Sequence, residues 1–212
     1  MESSGKHAHA TNHEMESAIA HLRARDPVLG ALMERLSPYE WRATRNLFEV
    51  MLRTIVSQQL STKAADSIYA RLAAAMGAGR PVPGRILALP DEALRSCGLS
   101  RSKTAYVKNV ARHFESDRHT PRSFAGLDDS AVIESLTSIK GVGEWSAHMF
   151  LIFGLRRPDV FPIGDLGLRN AMLRVYGLRA NTKPPRLHRI ADAWRPYRSL
   201  GTLYMWRSYD AE

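Results

Sequence analysis

Apolar residues recur three and four positions apart along almost the whole chain, and this periodicity restricts the fold more than any other feature. Leu47, Met51 and Ile55 repeat at intervals of four, with Phe48, Leu52 and Val56 beside them. That stripe is wide enough for a helix buried on most of its sides. Narrower stripes run through Met15, Ile19 and Leu22, stopped by Pro27, and through Ala65, Ile68, Tyr69 and Leu72. No run alternates apolar and polar residues, no repeat has a fixed period, and no heptad seam is sustained. The fold class is all-α. Ser61 or Thr62 caps the helix that Gly77 ends, and a Pro/Gly loop fills Gly79 to Gly84. Shorter helices are expected over 84–89 and 91–97, the latter capped by Asp91 and stopped by Gly98. Others fit 101–115, 129–138, 144–153, 166–176, 185–194 and 199–207.

Composition suits one globular domain over 14–212, or two small helical lobes with a cleft between them: 44% of residues are hydrophobic and 24% charged. Residues 1–13 are polar and aperiodic and read as a disordered leader, in which His7, His9 and His13 are solvated. The formal net charge of +9 favours a polyanionic partner, since each Lys or Arg set on a phosphate releases a condensed counterion. A single cysteine, Cys97, supplies neither an intrachain disulfide nor the four thiolates of an iron–sulfur cluster. It reads as a small buried hydrophobe. No apolar run approaches the roughly 18 residues of a membrane span and no signal-peptide core is present, so an intracellular protein is expected, nucleoid-associated in a bacterium or nuclear in a eukaryote.

One segment carries chemistry. Leu136-Thr137-Ser138-Ile139-Lys140-Gly141-Val142-Gly143-Glu144-Trp145 joins two helices through a Gly-x-Gly turn, a hairpin over about 129–153. Glycines let the backbone turn sharply, and the helix that starts at once points its free N–H groups outward, a natural seat for a phosphate. Taken alone, such a turn is equally a connection that needs glycine for its dihedrals. Beyond the second helix comes Arg156-Arg157-Pro158-Asp159-Val160-Phe161-Pro162-Ile163-Gly164-Asp165-Leu166-Gly167. Here an acidic residue opens a helix after a constrained loop. In isolation Asp165 is an ordinary N-cap; the combination is far more specific.

The stretch 136–170 resembles the signature of the helix-hairpin-helix DNA glycosylases, and within them the 3-methyladenine DNA glycosylase II branch. Three further segments are similar to the same family: Thr54-Ile55-Val56-Ser57-Gln58-Gln59-Leu60-Ser61, Gly98-Leu99-Ser100-Arg101-Ser102-Lys103, and Trp194-Arg195-Pro196-Tyr197-Arg198-Ser199 with Trp206 downstream. Together they cover about residues 41–207. Larger members carry an additional N-terminal sheet domain, so this chain resembles the compact form.

The resemblance implies monofunctional hydrolysis of the N-glycosidic bond of alkylated bases (3-methyladenine and 7-methylguanine type) in double-stranded DNA, by a monomer. Asp165 is then the carboxylate that stabilises the cationic sugar. An alkylated purine already carries positive charge and leaves without a dedicated general acid. Relatives that also cut the backbone place a lysine where this chain has Trp145, so imine chemistry lacks its nucleophile. The resemblance puts Gln59, with Gln58 and Leu60 beside it, at the loop pushed into the duplex. It makes Trp145, Trp206 and Met149 the base pocket, although a large aromatic on an apolar helix is as often core. Backbone N–H groups of Gly141, Val142 and Gly143 would hold a phosphate, and the carbonyls of Thr137, Ile139 and Val142 a monovalent cation, Na+ or K+. No residue array suggests a catalytic metal or other cofactor. A DNA-binding module without catalysis, a glycosylase with lyase activity, and a basic metabolic enzyme stay open at this point, as does the choice among 3-methyladenine, 7-methylguanine, 1-methyladenine and hypoxanthine.

Overall fold

The computed structural model describes residues 12–39, 41, 46–115 and 121–210; the leader proposed over 1–13 lies outside them except for Asn12 and His13, which are helical. Among the described residues every regular element is a helix. In chain order these are α1 (Asn12–Arg25), α2 (Pro27–Arg35), α3 (Leu47–Ser57), α4 (Thr62–Met76), α5 (Pro83–Ala88), α6 (Asp91–Ser96), α7 (Arg101–Phe114), α8 (Pro121–Ala125), α9 (Asp129–Thr137), α10 (Glu144–Met149), α11 (Leu166–Val175), α12 (Pro184–Asp192) and α13 (Arg198–Asp210). A π-helical turn, Phe150–Gly154, continues α10. No helix among the described residues is long and apolar enough to cross a membrane. The chain divides into two compact units, Thr44–Arg156 and a discontinuous one made of Met1–Ala43 with Arg157–Glu212.

The unit Thr44–Arg156 is built around α3. Eight of its eleven residues are buried, as the wide apolar stripe requires, and α4, α7, α10 and the π turn pack on it. Phe114 meets Phe48 on one side and Phe150 on the other, each at 6.1 Å between ring centres, and Phe124 reaches Phe150 at 5.1 Å. Caps set the boundaries. Ser61 accepts from the Ala64 N–H, Ser100 from that of Lys103 and Asp128 from that of Ala131. Cys97 is buried as expected, and burial pushes its thiol up. Asp91 does not cap α6: the cap position is Pro90, with Asp91 in the first turn, where its charge still favours the helix N-terminus.

The other unit packs α1, α2, α11, α12 and α13 around Leu22, Leu29, Leu168, Met172, Leu187, Trp194 and Tyr204. Pro27, expected only as a stop, occupies the first position of α2, where its missing N–H has no intrahelical partner to lose. Asp26 caps that helix and organises the core. Its Oδ1 accepts the N–H groups of Val28 and Leu29, both at 3.0 Å, and its Oδ2 accepts the Tyr176 hydroxyl at 2.6 Å and the Trp194 indole N–H at 2.8 Å. Four donors make a buried carboxylate tolerable. Burial, with the bond to Asp26, holds the Tyr176 phenol well above the ordinary tyrosine range.

Candidate active site

Asp165 stands at the start of α11, and the loop before it is pinned by α13. The Ser199 hydroxyl donates to the Arg157 carbonyl at 2.6 Å and accepts the Val160 N–H at 2.9 Å. Arg198 binds the Asp159 carboxylate at 2.6 Å, and Arg195 reaches the same carboxylate at 2.7 Å. The chain then turns, with the Asp165 N–H donating to the Pro162 carbonyl at 2.8 Å. Each of these fixes the entry angle of α11, and so the direction of the Asp165 side chain.

That side chain does two things. As the N-cap of α11 its Oδ1 accepts the Leu168 N–H at 2.6 Å, and the same oxygen accepts the Trp206 indole N–H at 2.8 Å. Trp206 lies two turns beyond Ser199 on α13, so the helix that pins the loop also holds the carboxylate. Trp206 packs against the core of its unit while staying partly exposed. Gly167 makes room for the pair: a Cβ there would stand 3.2 Å from Asp165 Oδ1 and 3.8 Å from the indole Cδ1. Next to the carboxylate, Leu166 is 68% exposed. Arg169, one turn further along α11, has a buried Nε without a hydrogen-bond partner among the described residues.

The hairpin joins α9 to α10 in the other unit. Gly141 has φ +103°, and a Cβ on it would fall 2.1 Å from the Tyr106 ring, so only glycine fits by both criteria. Gly143, the N-cap of α10, has an extended backbone and nothing within 4 Å of a would-be Cβ. Its role is open backbone rather than dihedral freedom. No described acceptor takes the N–H of Gly141 or Gly143. The Val142 N–H, expected beside them as a phosphate donor, is instead spent on the Ile139 carbonyl at 2.9 Å. Trp145 is partly exposed in the first turn of α10, whereas Met149 is 5% exposed and offers little surface to a base. Burial holds the nearby His148 imidazole below its ordinary range, against the opposing pull of Glu144.

The Ser57–Ser61 turn holds the last predicted group. Gln59 is exposed at φ +58°, a left-handed conformation uncommon outside glycine, and Leu60 is 40% exposed. Gln58 does not project with them. Its amide donates to the Gly141 carbonyl at 3.1 Å and to the Ser146 hydroxyl at 3.0 Å, which corrects its assignment as an inserting residue: it is a strut to the hairpin. Lys103 was expected only as part of a turn; its ammonium caps the C-terminal end of α3, donating to the carbonyls of Val56 at 2.6 Å and Gln58 at 2.7 Å. Burial lowers its pKa.

Residues 52–196 match the family model of the HhH-GPD superfamily base excision DNA repair proteins. The chain belongs to that superfamily, in its 3-methyladenine glycosylase branch. A DNA-3-methyladenine glycosylase of Saccharomyces cerevisiae is 34% identical over 209 residues, covering 91% of this chain and 70% of the relative. A Bacillus halodurans DNA-3-methyladenine glycosidase structure superposes with a TM-score of 0.74 at 35% identity, over 91% of this chain and 88% of the other. The Schizosaccharomyces pombe 3-methyladenine DNA glycosylase Mag1, solved in complex with abasic DNA, superposes with a TM-score of 0.81 at 29% identity, over 92% and 97% respectively. The protein is thus an N-glycosylase that binds DNA, and the all-α fold expected from its periodicity is the fold of this family.

Proposed function

We propose that this protein, a monomer, releases alkylated purines of the 3-methyladenine and 7-methylguanine type from double-stranded DNA by extruding the nucleotide and hydrolysing its N-glycosidic bond. The observation that carries the reading is the carboxylate of Asp165, fixed through one oxygen by the Leu168 N–H and the Trp206 indole. A carboxylate held in one orientation before the substrate arrives stabilises positive charge developing on the sugar without reorganising as the reaction proceeds. The C1′–N bond breaks with its electron pair going to the base, whose positive charge is thereby neutralised. Water bonds to C1′, and its proton passes to the carboxylate or to solvent.

The partly exposed indole of Trp206, which holds the carboxylate, offers electron-rich surface to a cationic base, and Trp145 offers such a surface within its own unit. Gln59 and Leu60 fill the gap that extrusion leaves in the stack. The open N–H groups of Gly141 and Gly143 receive a backbone phosphate. The carbonyls of Thr137 and Val142 accept no hydrogen bond from a described residue, and that of Ile139 accepts one, from Val142. Each has a lone pair to spare, so the three suit a structural Na+ or K+, which would add positive charge at the phosphate seat. With Trp145 at the position where lyase relatives carry an amine, the product is an intact strand with an abasic site.

The test is incubation with duplexes carrying single defined lesions, read before and after alkali. Strand cleavage only after alkali, on the methylated purines, is the expected result. A covalent enzyme–DNA adduct trapped by borohydride, or no release from any alkylated duplex, contradicts the reading.

A further inference from the structure

One face of α7 touches both the Ser57–Ser61 turn and the hairpin. Lys103, Tyr106 and Asn109 follow one another at intervals of three, a spacing that keeps side chains on adjoining parts of a helix surface. Lys103 holds the end of α3 through the carbonyls of Val56 and Gln58. The Tyr106 ring packs against Gly141, leaving no space for a Cβ. The Asn109 amide donates to the Lys140 carbonyl at 3.1 Å, in the same hairpin. Gln58 closes the loop by joining the turn directly to Gly141 and Ser146. The Ser57–Ser61 turn and the hairpin are thus bound to a common helix and to each other.

We infer that Lys103 and Gln58 are positioning residues that fix the Gln59 turn to the hairpin, so that gripping the phosphate and filling the vacated stack occur as one rigid-body event. The inference rests on the reading of Gln59 as the inserting residue. Its physical basis is the conformation of that turn. Gln59 sits in a left-handed region that costs a non-glycine residue energy and persists only where its surroundings enforce it. Two hydrogen bonds from one ammonium, to carbonyls on either side of Ser57, supply that enforcement. Such charge-assisted bonds are among the stronger that a neutral backbone makes. Without them the turn would sample other conformations, and the duplex would meet Gln59 correctly placed only part of the time.

The experiment compares Lys103→Met, Gln58→Met and Gln59→Gly, and the double variant Lys103→Met with Gln59→Gly, on one alkylated base in paired duplex and in single-stranded DNA. Melting curves establish which variants are folded at the assay temperature, and Gln58→Met serves if Lys103→Met is not. The expected result for Lys103→Met is about a tenfold fall in single-turnover excision from duplex with little change on single strand, where there is no stack to leave. The double variant should be no slower on duplex than Gln59→Gly alone, because an absent plug needs no placement. Equal losses on both substrates, or additive losses in the double variant, would give Lys103 a merely structural role and overturn the inference. A paired-specific loss in Gln59→Gly but in neither brace variant overturns the inference alone. A uniform effect of Gln59→Gly removes the inserting role of Gln59, and the inference falls with it.

Discussion

Replacing Trp206 with Phe keeps an aromatic ring on α13 and deletes one hydrogen bond, the 2.8 Å contact from the indole N–H to Asp165 Oδ1. Hydrogen bonds to charged groups are worth about 1.5–3 kcal/mol, and each 1.4 kcal/mol is about tenfold in rate. The Leu168 N–H still holds the same oxygen at 2.6 Å, so the carboxylate stays at its helix end but gains a wider range of orientations. A loss of about 10- to 100-fold in single-turnover excision follows, nearer the lower figure if Leu168 suffices. The loss should appear in the maximal rate, because the group affected acts on the transition state. Affinity for a duplex carrying an uncleavable abasic analogue should change little. The assay is single-turnover base release over a range of enzyme concentrations, with that affinity measured in parallel. An unchanged maximal rate with weakened binding would refute the reasoning and leave Trp206 as a stacking surface alone.

Two hairpin glycines should behave in opposite ways. Gly141→Ala combines a strained φ with a clash on Tyr106 and should destabilise the protein by at least about 2 kcal/mol in urea titration; an unchanged midpoint would contradict the packing described. Gly143→Ala meets nothing and should leave stability unchanged, yet weaken duplex binding by placing a methyl beside an open N–H; wild-type affinity would remove Gly143 from the phosphate seat. Stability should fall as pH rises above 10. Burial pushes the Tyr69 phenol up to about 12 and moves those of Tyr176 and Tyr39 in the same direction from the ordinary 10.0. Above pH 10 the unfolded chain therefore loses protons that the folded one retains. The contribution is complete below pH 10 and declines towards 12; urea midpoints that stay level from pH 9 to 11 would contradict it.

The helices were legible wherever burial and capping agreed. Helix α3 is apolar on most sides, and Ser61 and Gly77 stand at the boundaries expected of them. Helix α2 was hidden because Pro27 reads as a stop, while Asp-Pro is also a helix start, and nothing local separates the two. Asp165 and the hairpin were visible through their order along the chain. What stayed hidden was long-range pairing: Gln58 with Gly141, 83 residues away, Lys103 with Val56, 47 away, and Trp206 with Asp165, 41 away. A glutamine amide and a lysine ammonium each have many possible partners, and side-chain direction is settled only by the assembled unit. Gln58 and Gln59 show this most clearly. They are identical and adjacent, yet one points into the protein and the other out of it.

In the proposed reaction the charge on Asp165 drives base release, and Asp165→Asn isolates that charge. The amide oxygen still accepts from Leu168 and Trp206, so the cap and the indole contact survive and the fold should be retained. Removing a preorganised electrostatic contact costs on the order of a hundredfold or more in rate. The measurement is single-turnover release of a methylated purine from duplex DNA by Asp165→Asn, alongside its affinity for the same duplex. Affinity retained with excision lost by at least that factor is the predicted result; excision near the rate of the unmodified protein would contradict the assignment.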